Sequence, residues 1–325
     1  MTGPGSLMRA EIAEQPSMLR RLLAAPVEPR LVEAIRRQGA PHLQVVARGT
    51  SGHAALHLKY LAERVLGWPV VIVAPSVVTL LGGSPWTPRD VVLAISQSGA
   101  SPDLVTCLAS ASESGALTIA MVNSPGSPLE AEAGIPIGLG AGPELAVAAT
   151  KSYTAALLAV TRLVETLAPE PTGWDWDAVP TAAEELAGAA DWVRTASAAL
   201  AEATSAVVLG RAFGYATARE AALKIMETCE LPTLAYSSAE FRHGPLAAVG
   251  RGTVVLATGD VDQGLLDACA TAGARVLTAP RSGLAPELAP IAEIVPFQVL
   301  ALESSIARGL DPDRPVVLAK ATRTL

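Results

Sequence analysis

The chain has 325 residues, half of them hydrophobic and only 17% charged, with a formal net charge of −7 and a mean hydropathy of +0.37. At roughly 100–200 residues per domain this length suggests two domains or one long tandem fold, and the composition excludes intrinsic disorder. No run of Lys or Arg exceeds the pairs Arg20-Arg21 and Arg36-Arg37, so the footprint of a nucleic-acid or anionic-membrane partner is missing.

Residues 1–30 read as an N-terminal helical segment. They carry Glu11 and Glu14 and lack an apolar core of signal-peptide length, so they are expected to stay on the mature chain. No apolar stretch reaches the ~18–20 uninterrupted residues of a membrane span. Three cysteines, Cys107, Cys229 and Cys269, have no CxxC spacing; this argues against a disulfide framework or a zinc ribbon and fits a reducing cytoplasm.

From residue 31 to 167, short β-branched runs alternate with longer helical segments, the pattern of a parallel sheet with crossover helices. Strands are expected at Leu43–Ala47, Val70–Val73, Val91–Ser96, Thr118–Val122 and Ile135–Leu139, with helices at Ala54–Leu66, Asp103–Ser114 and Ala148–Leu167. They are nearly all apolar, as strands covered on both faces should be. Residues 168–203 bring Pro, Gly and Trp and then a helix, Ala182–Ala203, and read as a linker and helix.

The pattern then restarts over 204–310: strand Ala206–Leu209, helix Ala218–Glu230, strand Thr253–Leu256, helix Gly264–Ala272, strands Arg275–Leu277 and Ile294–Pro296, and helix Phe297–Gly309. The fold class is therefore α/β, with two tandem doubly wound parallel-sheet subdomains. The tail, 311–325, holds Pro312 and Pro315 and no sustained period, and such a tail is usually frayed unless docked for a purpose.

Ser96-Gln97-Ser98-Gly99-Ala100-Ser101 follows a buried strand and precedes a helix. Backbone amides at a helix start, with the side chains of Ser96, Gln97, Ser98 and Ser101, suit an anion at the carboxyl end of the strand. The plainer reading is a capping turn in which a serine only satisfies free amides. Arg48-Gly49-Thr50-Ser51-Gly52 is a second turn of this kind, so the two could converge on one ligand. Neither carries the GxGxxG fingerprint or the Walker lysine, which makes nucleotide binding the less favoured use.

Glu220, Lys224 and Glu227 are four and three residues apart and share one helix face. Such a stripe is commonly a solvated salt-bridge ladder. In a charge-poor segment it is also how a general base is placed beside a cation. His243, in Arg242-His243-Gly244-Pro245-Leu246, is the only histidine of the second half.

These motifs, with Met8-Arg9-Ala10-Glu11-Ile12-Ala13-Glu14-Gln15-Pro16, Ala141-Gly142-Pro143-Glu144, Ala149-Thr150-Lys151-Ser152 and Leu318-Ala319-Lys320, resemble the sugar-isomerase (SIS) family over almost the whole chain. The resemblance is to the isomerase half of glucosamine-6-phosphate synthases and to stand-alone amino-sugar deaminases. It implies that Ser96, Gln97, Ser98 and Ser101 hold the substrate phosphate, that Thr50 and Ser51 line the sugar pocket, and that Val147 lends backbone near the sugar. It further implies Glu227 as the base between sugar carbons 1 and 2, Lys224 beside the reacting oxygens, and His243 assisting ring opening from a neighbouring subunit. Lys320, in a catalytic tail, is implied to close over the site and to form an imine with an open-chain ketose.

The pattern departs from the synthase at Ala100, where that enzyme has an acidic residue, and in having only about 25 residues before the first subdomain, so no ammonia source of its own is expected. The activity expected is deamination of glucosamine 6-phosphate to fructose 6-phosphate and ammonia, with no metal and no cofactor. Dehydration of N-acetylglucosamine 6-phosphate through the same intermediate, or a non-catalytic sugar-phosphate sensor, are the alternatives. The expected partner is a small-molecule sugar phosphate, in a cytoplasmic homodimer that binds neither nucleic acid nor membrane.

Overall fold

The computed structural model describes residues 3–39, 42–318 and 320. Ala319 of the terminal motif and the last five residues of the expected tail lie outside the described residues. The chain divides into two compact units. The first-sheet unit comprises Arg21–Glu144 and Ser152–Gly173, and the second-sheet unit Met1–Arg20, Leu145–Lys151 and Trp174–Lys320.

The first-sheet unit contains β1 (His42–Ala47), β2 (Val70–Ile72), β3 (Asp90–Ser96), β4 (Leu117–Val122) and β5 (Ile135–Gly138), in the order β2-β1-β3-β4-β5. All pairs are parallel, with Leu43 opposite Val70 and Val91, Val91 opposite Leu117, and Ile119 opposite Ile135. Every residue of β3 is buried, which explains its continuous apolar run, since helices cover both faces. One layer of the core joins Val46, Val92, Ala94 and Ala120 to Leu104, Leu108 and Leu129. Each such Leu or Val contributes about 1.5–3 kcal/mol relative to an exposed side chain.

In the second-sheet unit β6 (Ser205–Gly210), β7 (Thr233–Ser237), β8 (Thr253–Ala257) and β9 (Arg275–Thr278) form a second parallel sheet, ordered β7-β6-β8-β9. Its core sets Val207, Leu209, Val255 and Ala257 against Phe241, Leu265 and Leu266. Both sheets reverse strand order beside their first strand, at β1/β3 and at β6/β8, and in open α/β sheets ligands bind at the carboxyl ends of the strands where the order reverses.

The structure corrects the sequence reading at several elements. Strand β7 was not expected, because it is short, follows Pro232 and mixes polar with apolar residues. Ile294–Pro296, expected as a strand, instead enters the helix Val295–Ala307. The β-branched pair Ile294-Val295 imitates a strand, whereas Pro296 falls in the helix's first turn, where a missing N–H costs nothing. The expected helix Ala182–Ala203 is two helices, Ala178–Ala187 and Ala190–Glu202, divided at Gly188.

The helical stretch Ala289–Ala307 is long and apolar enough to cross a membrane, yet 83% of its most apolar window is buried inside the protein, as in a core helix. The three cysteines are free and buried. Burial pushes the Cys107 and Cys229 thiols up to about 11, which keeps them unreactive near neutral pH.

Candidate active site

In the first-sheet unit, β1 and β3 are neighbours with Ala47 opposite Ile95. The turns that follow them are therefore side by side. Arg48 ties them together: its Nε donates to Asp103 Oδ2 at 2.8 Å. Asp103 is fully buried in the first turn of helix Pro102–Glu113, and Oδ1 also accepts from the Leu104 amide at 2.9 Å. Arg48 side-chain exposure is 49%, so a guanidinium stands at the rim of a turn that otherwise offers only neutral donors. The sequence reading quoted Arg48 without giving it a role; a cation one residue before the glycine was the available signal.

Within the turn, Ser96 Oγ accepts from the Gly99 amide at 3.0 Å, and Ser98 Oγ accepts from the Ala100 amide at 3.3 Å. A hydroxyl that accepts still has its own proton to donate. Gly99 has φ +62 and a Cβ there would collide with Ser127 Oγ, so only glycine fits. Ser101 occupies the N-cap position, but its side chain caps nothing. The capping-turn reading therefore describes Ser98, which accepts a turn amide as Ser96 does, and fails for Ser101. Gln97, Ser98 and Ser101 are half-buried, as are Thr50 and Ser51 at the start of helix Gly49–Leu61. A separate cavity of about 290 Å³, lined by Leu22, Val27, Ile137, Leu158 and Arg162 among others, includes no residue of either turn.

In the second-sheet unit, helix Gly214–Cys229 carries the charged face. Lys224 Nζ donates to Glu227 Oε2 at 2.5 Å and lies 3.4 Å from Glu220 Oε1. Side-chain exposures are 0% for Glu220, 1% for Lys224 and 23% for Glu227. This is not a solvated ladder. Removing these charges from water costs several kcal/mol per ion before pairing offsets it. The array leaves one carboxylate, Glu227, in contact with solvent.

Val147 is half-buried in the loop that precedes helix Lys151–Leu167. Beside it the Ala146 carbonyl accepts from Lys320 Nζ at 2.6 Å, which brings Lys320 to the residue preceding Val147. The tail that leads to Lys320 is docked. Asp311 accepts from the Gly5 amide at 3.0 Å, and Asp313 accepts from Leu7 and Met8 at 2.9 and 2.8 Å. The prolines had suggested fraying, but the carboxylates cap helix Ser6–Ala13, whose N-cap glycine has no side chain to do so.

His243 is exposed on the turn after helix Ser238–Phe241. Its imidazole makes no hydrogen bond or ion pair among the described residues.

The chain matches the SIS domain family over residues 38–166 and 199–263. It is 33% identical, over 98% of its length, to a glutamine–fructose-6-phosphate aminotransferase (isomerizing) of Methanothermobacter thermautotrophicus, and 31% identical over 97% to that of Streptococcus pneumoniae strain R6. It spans a little over half of these relatives, 57% and 58%.

Among solved structures, a candidate phosphosugar isomerase from Silicibacter pomeroyi matches with a TM-score of 0.82 at 34% identity, covering 94% of this chain and 99% of that one. A glucosamine-6-phosphate deaminase from Thermotoga maritima matches with a TM-score of 0.85 at 24% identity, covering 98% and 100%, a likeness of fold. The chain belongs to the SIS domain family, and its two parallel sheets correspond to the tandem SIS subdomains of these neighbours.

Proposed function

We propose that this SIS-family chain is a phosphosugar isomerase that deaminates glucosamine 6-phosphate to fructose 6-phosphate and ammonia. The observation that carries this reading is the buried Glu220–Lys224–Glu227 array, which exposes one carboxylate beside a fixed ammonium. Glu227 takes the proton from carbon 2 of the open-chain sugar, and the freed electron pair forms the carbon 1–carbon 2 double bond as the carbonyl becomes an enol. Lys224, held against the carboxylate, stabilises the developing oxyanion. Return of the proton to carbon 1 leaves an imine at carbon 2; water adds, and ammonia departs. General-base catalysis of this kind contributes typically 10²–10⁴-fold.

The turn of Ser96, Gln97, Ser98 and Ser101 takes the phosphate through hydroxyl and amide donors, with Arg48 adding a positive charge at its rim. Thr50 and Ser51 contact the sugar, and Val147 lends backbone near it. Lys320 serves the open-chain form. His243 assists ring opening from a second copy of the chain in a homodimer; its exposure, and the absence of a hydrogen bond or ion pair to its imidazole among the described residues, support this. So do the exposed Leu145, Met226, Val316 and Val317 of the same unit. The reaction is placed in the cytoplasm.

The test is incubation of the purified protein with glucosamine 6-phosphate, N-acetylglucosamine 6-phosphate, and fructose 6-phosphate with ammonium, with products identified by mass spectrometry. Ammonia and fructose 6-phosphate from the first substrate are expected. Loss of water from the second would make the enzyme a dehydratase, and no conversion of any would leave a sensor.

A further inference from the structure

Helix Ser6–Ala13 is gripped at both ends by chain that comes from far away. Asp313 caps its first turn, 305 and 306 residues away in sequence. One turn further on, Glu11 accepts from the amides of Leu145 and Ala146, the latter at 3.2 Å. Glu11 is only 4% exposed, and a carboxylate is buried at high cost unless such donors compensate it. The peptide it pins is the one whose next carbonyl, that of Ala146, receives the Lys320 ammonium at 2.6 Å. Tail, helix and loop thus form a closed circuit within one unit: Asp313 to the helix start, Glu11 to the loop, and the loop back to the tail at Lys320.

Nothing in the proposed chemistry requires Glu11, and neither the sequence nor the family resemblance gives it a role in the site. We infer that Glu11 is a positioning residue, which fixes the Leu145–Ala146 peptides so that the Ala146 carbonyl holds the Lys320 ammonium in place and Val147 keeps its orientation. The catalytic consequence rests on the proposed role of Lys320; the placement does not. A carboxylate is suited to the task because one oxygen can accept two successive amides, and charge-assisted bonds of this type are the strong ones.

Two measurements separate the placement from its consequence. The first is the rate of acetylation of Lys320, read by peptide mass spectrometry on the full chain without substrate, with Lys59 as internal standard. In Glu11→Ala the rate should rise about tenfold or more, since a hydrogen bond involving a charged group is worth at least one decade. Glu11→Gln keeps an acceptor oxygen and should stay close to the native rate. If Glu11→Ala fails to fold, Glu11→Asp, too short to reach both amides, carries the same test. An unchanged Lys320 rate in the folded variant overturns the inference.

The second is a double-mutant cycle on turnover. Glu11→Ala should lower kcat about 10–100-fold, the scale of a misplaced catalytic group, with KM little changed. It should cost nothing further in the Lys320→Ala background, because its effect passes through that lysine. Additive losses would overturn the route through Lys320. Native turnover in Lys320→Ala would remove that lysine from the proposed reaction, whereas the acetylation rates would still decide the placement.

Discussion

Lys224 and Glu227 face each other at 2.5 Å on consecutive turns of one helix, and the lysine is buried whereas the glutamate meets solvent. Glu220 closes the array from below at 3.4 Å. The ammonium is thus fixed between two carboxylates, and only the outer one is accessible to a substrate.

Replacing that outer carboxylate isolates its chemistry. Glu227→Gln keeps shape and can still contact Lys224, but cannot take a proton. Ammonia release should fall by about two to four decades, while calorimetric binding of glucosamine 6-phosphate persists. Near-native turnover would remove Glu227 as the base.

Lys224 has a structural burden as well. Lys224→Met leaves the fully buried Glu220 without its cation, which should cost about 3–5 kcal/mol in denaturant unfolding. Adding Glu220→Gln should return much of that loss, because no uncompensated charge remains. Equal stability of the single and double variants would contradict the pairing.

The phosphate turn should act mainly on binding. With Ser96 and Ser98 both changed to alanine, KM should rise far more than kcat falls, because contacts made equally in ground and transition states supply uniform binding. Each lost bond to a charged group is worth about 1.5–3 kcal/mol. Equal use of non-phosphorylated glucosamine by the native enzyme would refute the phosphate assignment.

If His243 acts in trans, Glu227→Gln and His243→Ala, each inactive alone, should regain part of the native activity when co-expressed, since hybrid dimers contain one intact set. Sedimentation should give a dimer. A monomer, or an inactive mixture of exchanging subunits, would exclude the shared arrangement.

His57 predicts the acid side of the stability curve. It is fully buried with Nε2 3.1 Å from Thr161 Oγ1, and burial lowers its pKa from 6.5 to about 3. The unfolded chain therefore binds a proton that the folded chain refuses between those values, so stability falls as pH drops from 6.5 towards 3. His57→Gln should flatten that part of the curve in urea melts across pH. An unaltered slope would assign the acid lability to other groups.

Much of the fold was legible because parallel strands covered on both faces must be apolar throughout; β1, β3, β4 and β8 stand out against helical spacing without any tertiary information. The edge strand β7 was not, since half-covered residues after a proline carry no such run. Ile294-Val295 misled for the converse reason: β-branched residues are tolerated in a helix whose surroundings bury every side.

For the site, the sequence by itself determined the inventory: hydroxyls in a strand-to-helix turn, a Glu-Lys-Glu face and the terminal lysine all follow from spacing and motif. Tertiary structure alone decided which of these groups are desolvated and what holds them. Helical spacing places Lys224 between two carboxylates but cannot tell a solvated ladder from a buried one, since burial depends on elements packed from elsewhere. Arg48 reaches Asp103 only because β1 and β3 are neighbours in the sheet. Asp313 reaches the Leu7 and Met8 amides across 306 and 305 residues, and Lys320 reaches the Ala146 carbonyl across 174, so no local pattern records these contacts. The tail's prolines gave it no periodicity, yet two carboxylates capping a helix at the other end of the chain hold it in place.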